Sequence, residues 1–226
     1  MKSFFNIKNL NYFIMKGLNC FFVLGLFLVS VAFTSNIATS YKINTEYSKV
    51  KWTGSKVGGE HTGEVSMTNG DLHFTDGKLT GGNFVIDMAS MNCTDITDAA
   101  QNAKLIGHLK SADFFGVEAH PTATYVIKKT IPYGKEKLKG PEYTYTKEIY
   151  KVVGDMTIKG ITKTIKTQIE IYDYDTSVSG VARFDLDRSD FDIRYGSGSF
   201  FDDLGDKLIY DEIQLDVNIS ASKQVK

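Results

Sequence analysis

The sequence predicts an all-β protein, an antiparallel barrel of about eight strands with one inserted helical segment that covers an end. Three observations predict this fold. From Tyr41 onward, apolar and polar residues alternate with a period of two, as in strands that bury one face. Short turns separate these strands, among them the hairpin dipeptides Asn69-Gly70 and Asp76-Gly77. One longer segment, residues 92–121, breaks the alternation and has helical spacing.

The alternation runs through nearly the whole chain. It begins at "SKVKWTGSKV", where Val50 and Trp52 alternate with lysines, and it ends at "IYDEIQLDVNIS", where Ile213 and Leu215 alternate with acids and amides. Roughly eight or nine such segments follow one another. Sheets of this size either stack as sandwiches or close into barrels. Strict up-and-down order with a single inserted helix favours the barrel.

The inserted segment contains "DITDAAQNAKLIGHLKSADFF". Asp95 or Thr97 is the expected N-cap, because a short polar side chain there can accept hydrogen bonds from the first helical turn. Leu105, Ile106 and Leu109 are spaced for one apolar face. We therefore expect one helix that packs against the barrel.

The first forty residues are predicted to be a signal peptide. In "MKGLNCFFVLGLFLVSVAFTSNIATS", one lysine precedes an apolar run that ends at Phe33, and small and polar residues follow. This run is shorter than the roughly 20 apolar residues that span a bilayer. We expect cleavage after Ser40, with Met15 as an alternative start and an uncleaved membrane anchor as the alternative role. Residues 41–226 then form one domain without an integral membrane span.

The charge and cysteine content of this domain limit which partners and cross-links it can have. The chain has 26 basic and 27 acidic residues, and the predicted leader removes lysines but no acid. A mildly acidic chain has no bulk attraction for nucleic acid, so we expect no such partner. Cys20 lies in the leader, which leaves Cys93 without a partner for an internal disulfide.

The sequence contains no motif of a known catalytic or metal site. It lacks HExxH, GxSxG, P-loop and dinucleotide-binding patterns. The histidines are scattered, so a metal site would need distant residues to converge. Most carboxylates alternate with apolar residues and are expected on the solvated faces of the strands. We therefore expect no metal site, no cofactor and no enzymatic activity.

The arginines are concentrated in one segment. Arg183, Arg188 and Arg194 are the only three in the chain, and all lie within "ARFDLDRSDFDIRYGSG". Arg188 is flanked by acids and has two interpretations. It is either a structural ion pair, which we favour, or a contact with the polar head group of a ligand at the barrel mouth, together with Asp190.

The apolar strand faces also have two interpretations. A closed barrel of about eight strands can pack solid or can hold one small ligand, and alternation alone does not decide between these. For a hollow interior, the predicted lining is Trp52, Phe74, Phe84, Ile86, Leu109, Phe114, Phe115, Tyr125, Ile127, Met156, Ile158 and Phe184.

Several ordered motifs resemble those of the YceI-like family. "HLKSADFFGVEAHPTATY" matches its His-Leu-Lys-Ser, Asp-Phe-Phe and Pro-x-Ala-x-aromatic pattern. "VVGDMTIKGITKTI" matches its Gly-Asp-Leu-Thr-Ile-x-Gly-Val-Thr-Lys strand and turn, and "DLDRSDFDI" matches its Asp-Arg-Ser-Asp-Phe segment. The similarity runs from about Tyr41 to Ala221. The chain departs from the pattern at Gly116, at residues 118–120 and in the longer, aromatic "GSGSFFDDLGDKLIYDE" tract.

The resemblance implies an exported, lipocalin-like barrel that binds polyisoprenoid or other lipid chains. In such a barrel, Leu109, Phe114 and Phe115 would point inward from the helical segment and close the apolar interior. We expect a non-catalytic binding protein whose partner is a lipid or isoprenoid ligand. We expect it in the periplasm, with the extracellular space as the alternative, and a homodimer is left open.

Two rival hypotheses remain. The first is a solid-core secreted interaction or stress protein that acts through the loop at residues 196–208. It predicts no cavity and an exposed pair of phenylalanines, Phe200 and Phe201. The second is a hydrolase with a carboxylate or histidine site at the barrel mouth. It predicts a polar cavity with a perturbed acid or His108.

Overall fold

The computed structural model describes residues 36–140 and 144–224. In this part of the chain, nine strands form one antiparallel sheet, and one α-helix is inserted between the fourth and fifth strands. The elements are β1 (Ala38–Ile43), β2 (Lys49–Lys56), β3 (Gly59–Thr75), β4 (Lys78–Asp87), α1 (Ala99–Lys110), β5 (Thr122–Lys139), β6 (Thr144–Ile158), β7 (Ile161–Asp173), β8 (Ser177–Asp187) and β9 (Ile209–Lys223). The predicted fold class is confirmed.

The sheet closes on itself to form a barrel. From β2 to β9 each strand pairs with the next one in the chain, and β9 pairs back onto β2. β1 lies in line with β2, because it also pairs with β3 on one side and β9 on the other. β1 and β2 therefore act as one interrupted strand, and nine strands fill eight positions in up-and-down order.

Ser48 bridges the interruption between β1 and β2. This side chain is fully buried. Its hydroxyl donates to the Ser220 carbonyl at 3.2 Å and accepts from the Ser220 N–H at 3.0 Å. The Asn44 N–H donates to the same carbonyl at 2.7 Å. These bonds satisfy backbone groups of β9 that the missing stretch of strand would otherwise leave unpaired.

One of the two predicted hairpin turns is confirmed, and the other is wrong. Asp76 and Gly77 form the β3–β4 turn with φ of 51° and 73°. Asn69 and Gly70 instead lie inside β3, next to a bulge in its pairing with β4. A Cβ at Gly70 would stand 2.9 Å from the Phe84 ring. This glycine therefore permits close packing within a bent strand and does not make a turn.

The helix is confirmed, but its predicted N-cap is wrong. Asp98 caps α1, and its side chain accepts a hydrogen bond from the Gln101 N–H at 2.8 Å. Asp95, one of the two predicted caps with Thr97, accepts from the Thr62 N–H at 2.9 Å instead. Its carboxylate thereby attaches the segment before the helix to β3.

The barrel wall is split along part of its length. β7 and β8 pair only along Glu170–Asp173 and Val178–Val181 within the described chain. Beyond these pairs, residues 161–169 of β7 bond to β6, and residues 182–187 of β8 bond to β9. These two stretches do not pair with each other within the described chain, and we call the gap between them the seam.

The predicted leader lies largely outside the described residues, which begin at residue 36. Its predicted end, after Ser40, falls within β1, whose residues 38–40 pair with β3. The leader and its cleavage site stay predictions. No helix in residues 36–140 or 144–224 is long and apolar enough to cross a membrane.

Candidate functional site

One half of the barrel is hollow. It encloses an apolar cavity of about 220 Å³ beneath α1, the β2–β3 hairpin and the connection between β8 and β9. We call this the hollow half. The opposite half, which carries β1, the β3–β4 turn and the β7–β8 turn, is filled by side chains, and we call it the packed half. Leu72, Leu79 and Tyr150 in the packed half are at most 2% exposed, and none of them lines the cavity.

Most residues of the predicted lining meet around this cavity. Those that line it are Trp52, Phe84, Ile86, Leu109, Phe114, Phe115, Tyr125, Ile127, Met156, Ile158 and Phe184. They come from β2, β4, β5, β6, β8 and the segment that contains α1. Period-two alternation identified the faces of the strand residues correctly, because every inward side chain of a closed barrel points to the same interior. Leu109, Phe114 and Phe115 were instead expected to point inward because of the family resemblance. Whether they contact a ligand stays a prediction.

Phe74 lies elsewhere. Its ring packs edge to face on Tyr41, with the ring centroids 5.2 Å apart, in the packed half. β3 has 17 residues and passes through both halves, so its inward residues reach different interiors. The alternation gave the face of Phe74 correctly but not its height along the barrel.

Most methionines of the lining were absent from the lining predicted from the sequence. The cavity is lined by Met67, Met88, Met91 and Met156, which are all the methionines in the described part of the chain. Methionine side chains are flexible and polarizable, and they adapt to ligands of irregular shape. The concentration of methionine in the segment 67–91 was the available sequence signal.

Two glycines let aromatic rings lie flat against the wall of the cavity. A Cβ on Gly63 would stand 2.6 Å from the Trp52 ring, and one on Gly154 would stand 2.5 Å from the Tyr125 ring. Both contacts are closer than a real Cβ tolerates, so a larger residue would push each ring inward. The glycines therefore preserve the volume of the cavity.

Two polar atoms in this apolar lining have no hydrogen-bond partner among the described residues. They are the Trp52 Nε1 and the Tyr125 hydroxyl, and both are buried. Burial, and then the nearby charge of Asp155, raises the pKa of Tyr125 to about 12, so the phenol stays protonated at neutral pH. An indole N–H can donate, and a phenol can both donate and accept. The cavity thus offers two unused hydrogen-bonding groups.

The segment after α1 closes the hollow half through aromatic contacts. Phe114 is 4% exposed, and its ring packs on Phe115 with the centroids 5.5 Å apart. His108 of α1 lies edge-on to both Phe114 and Tyr195, at 5.7 and 4.3 Å. The helical segment is therefore joined to the β8–β9 connection across the end of the barrel.

Arg188 joins the loop after β8 to β9 at this end of the barrel, and we call this set of contacts the bracket. It is 1% exposed and lines the cavity, with its guanidinium 5.2 Å above the Phe114 ring. Its N–H groups donate to the carbonyls of Ile193, Tyr195, Ile209 and Tyr210 at 2.9–3.2 Å, and Nη2 lies 3.1 Å from Asp211 Oδ1. Each of the three guanidinium nitrogens therefore donates to at least one backbone carbonyl, and the contact with Asp211 is an ion pair. The geometry supports the structural interpretation over a head-group contact.

Asp190 lies apart from the cavity. Its side chain is half exposed and forms an ion pair with Lys163 at 3.2 Å. Lys163 belongs to β7, while Asp190 follows β8, so the pair crosses the seam. Lys159 reaches across in the same way and donates to the Asp192 carbonyl at 3.0 Å. Asp190 therefore helps to hold the split wall together.

The rival hypotheses fit this geometry less well. The hydrolase hypothesis predicted a polar cavity with a perturbed acid or His108. No Asp or Glu of the described residues lines the apolar cavity, and His108, which does line it, packs its ring on Phe114 and Tyr195. The solid-core hypothesis predicted no cavity, which the hollow half contradicts. Its other expectation holds, because Phe200 and Phe201 are 38% and 50% exposed.

His61, Cys93 and Asp95 meet at the rim of the hollow half, which the sequence analysis did not anticipate. The Asp95 carboxylate lies 2.9 Å from His61 Nδ1 and 3.2 Å from Cys93 Sγ. Burial raises the pKa of the Cys93 thiol. Desolvation acts upward on Asp95, but hydrogen bonds from His61, Thr62 and Cys93 outweigh it and lower its pKa to about 2. His61 and Cys93 are far apart in sequence, so no local pattern reveals the cluster.

The comparisons with known proteins agree with this architecture. The model of the YceI-like domain matches residues 41–221. The crystal structure of Burkholderia cenocepacia BcnA is 22% identical with a TM-score of 0.59, over 80% of this chain and 99% of that one. A polyisoprenoid binding domain from Saccharophagus degradans is 13% identical with a TM-score of 0.57, over 81% and 98%. No curated protein matches the chain. By its family match, the chain belongs to the YceI-like family.

Proposed function

We propose that the protein is an exported, non-catalytic binding protein that holds a polyisoprenoid or other lipid chain in the hollow half. The observation that carries this proposal is the apolar cavity of about 220 Å³. An apolar cavity of about 150 Å³ stays dry and accepts small apolar ligands. At roughly 24 cal/mol per Å³, leaving this volume empty costs on the order of 5 kcal/mol, which an apolar guest would recover.

The ligand has polar as well as apolar character in this proposal. Among the described residues of the lining, Trp52 Nε1 and the Tyr125 hydroxyl are buried without a hydrogen-bond partner and can bond it. A carbonyl or hydroxyl on an otherwise apolar chain would satisfy either of them, and each buried group that gains a partner avoids a cost of about 1–3 kcal/mol. Arg188 takes no part, since each of its guanidinium nitrogens already donates to a backbone carbonyl.

The family match and one solved structure support the ligand class. The Saccharophagus degradans structure, with a similar fold, is described as a polyisoprenoid binding domain. The mostly carbon lining of the hollow half suits a chain of this kind, because burial of apolar surface supplies affinity without directional bonds. The methionines in the lining would let it adapt to the kinks of an unsaturated chain.

The test is native mass spectrometry of the protein purified without detergent, followed by extraction and identification of any bound molecule. Ala182 lines the cavity from β8, and its neighbour Val181 points to the outer face. We expect a stoichiometric apolar adduct on the wild type and on Val181→Phe, but none on Ala182→Phe, which fills the cavity. A bare wild-type mass that takes up no added polyprenol or fatty acid would overturn the proposal.

Export has its own test. The apolar run that ends at Phe33 is the observation that motivates it. We expect the full chain, expressed in a bacterial host with a periplasm, to be recovered there with a new N-terminus near residue 40. Recovery of the intact chain from the cytoplasm would contradict export while leaving the lipid proposal untouched.

A further inference from the structure

His61, Cys93 and Asp95 bring three different kinds of metal-binding atom together. One nitrogen, one sulfur and one carboxylate oxygen lie within 4.8 Å of one another. His61 lies on β3, while Cys93 and Asp95 lie on the segment that leads to α1. Asp95 stands between the other two and bonds to each. The cluster therefore joins two parts of the fold at one point.

We propose that these three side chains form a Zn²⁺ site at the rim of the hollow half. Tetrahedral Zn²⁺ binds sulfur at about 2.3 Å and nitrogen or oxygen at about 2.0–2.2 Å, which places its ligand atoms about 3.5 Å apart. The atoms of the cluster already span this range, so small side-chain rotations suffice. Thiolate and imidazole together select zinc over the harder ions Mg²⁺ and Ca²⁺.

Binding of the metal releases protons from the cluster, and the charges of the ligands and the ion then balance. Without metal, the Cys93 thiol and the Nδ1–H of a neutral His61 each donate a hydrogen bond to the ionised Asp95, and the cluster carries one negative charge. On binding, Cys93 loses its proton to solvent. The Nδ1 proton of His61 also leaves to solvent while Nε2 takes one up, so the ring stays neutral and Nδ1 binds the ion. The two anionic ligands then neutralise the charge of Zn²⁺.

The surrounding backbone holds the ligands in place. The Thr62 N–H donates to Asp95 Oδ1 at 2.9 Å, which leaves Oδ2 directed at His61. The Asn102 amide donates to the Cys93 carbonyl at 2.9 Å, so the start of α1 also fixes the position of the cysteine. Partners of this kind orient metal ligands and raise affinity. The site is thus assembled before the metal arrives.

The cluster is accessible, and it borders the cavity. The side chains of His61 and Asp95 are 35% and 33% exposed, so an ion can enter from solvent. His61 also lines the cavity. Three protein ligands leave a fourth position for water or another small ligand, as in open zinc sites. A bound ion would tie the segment before α1 to β3, at the edge of the space that the lipid would occupy.

The experiment uses Co²⁺ as a spectroscopic substitute for Zn²⁺ in the reduced, metal-free full chain. We expect one equivalent of Co²⁺ to give the absorption of a thiolate-bound tetrahedral ion, which Zn²⁺ then abolishes by displacement. Cys93→Ser should lose the thiolate band, and His61→Gln should bind at least tenfold more weakly. The control His73→Gln, also on β3 but outside the cluster, should behave as the wild type.

The outcomes are decisive in either direction. A wild-type protein without the thiolate band, or a His61→Gln variant with unchanged affinity, would overturn the site. Cys93 is buried, so a Cys93→Ser variant that does not fold would be uninformative. In that case His61→Gln decides whether the site exists, because the His61 side chain is partly exposed and this variant keeps the Cys93 thiol. None of these results depends on whether the cavity binds a lipid.

Discussion

The packed and hollow halves of the barrel share strands and side-chain alternation but differ in what fills them. In the packed half, Tyr150 reaches from β6 to β4, and its hydroxyl accepts from the Leu79 N–H at 3.2 Å. In the hollow half, Trp52 and Tyr125 instead lie flat on glycines of the wall. Inward aromatic residues therefore fill one half and line the other, and their orientation makes the difference. Alternation alone predicts a buried face but not a filled interior.

The largest effect is expected from breaking the bracket at the end of the hollow half. Arg188→Met would remove the donor of four backbone carbonyls and the ion-pair partner of the mostly buried Asp211. Removal of one partner from such a network costs about 3–5 kcal/mol. Urea unfolding should show this loss, while Arg183→Met, whose side chain is 78% exposed, should cost less than about 1 kcal/mol. Equal costs for the two arginines would mean that Arg188 does not hold this end together.

A matched pair on β7 compares the two halves directly. Ile171 is 2% exposed and lies in the packed half, and Ile169, two residues earlier, lines the cavity. We expect Ile171→Ala to cost about 4 kcal/mol and Ile169→Ala about 2 kcal/mol, because a side chain beside a void has fewer contacts to lose. Urea unfolding of the ligand-free protein measures both. Equal losses would show that the two interiors are packed alike.

Tyr125 gives the hollow half a response to alkaline pH. Its folded-state pKa is about 12, against 10.0 for an ordinary tyrosine. Between these values the unfolded chain loses the phenolic proton while the folded protein keeps it, so stability falls as pH rises. The loss is at most about 2–3 kcal/mol. The difference in unfolding free energy between pH 8 and pH 11 should be smaller for Tyr125→Phe than for the wild type.

The control for this titration is Tyr133→Phe. Tyr133 is 63% exposed on β5 and should leave the pH dependence of stability unchanged. The same Tyr125→Phe variant removes a buried hydroxyl without a partner, so the ligand-free protein should not be destabilised at pH 7. A loss of stability at neutral pH would show that the hydroxyl has a bonding role within the protein.

The sequence predicted which face of a strand each side chain lies on, but not how far along the barrel it lies. Side-chain direction follows from local backbone period, so Phe84, Tyr125 and Phe184 were placed on the cavity wall. Height along the barrel depends on strand length and register, so Phe74 was misplaced. Gly70 was mistaken for part of a turn because its constraint, close packing against Phe84, comes from a neighbouring strand.

The candidate metal cluster and the bracket show a second limit of prediction. His61 and Cys93 meet because Asp95 bonds to the Thr62 amide, a contact between distant segments. A structural ion pair was favoured for Arg188 because of its acidic neighbours in sequence, but its partners are carbonyls and one acid on the loop and strand that follow. Such convergence requires the closed ring of strands and cannot be deduced from local spacing.

The seam has a consequence for the dynamics of the barrel. Along residues 161–169 of β7, every second amide faces β8 across the gap and has no strand partner within residues 36–140 and 144–224. These amides should exchange with deuterium much faster than their neighbours, which bond to β6. Protection along this half of β7 should therefore alternate residue by residue and become uniform beyond Glu170.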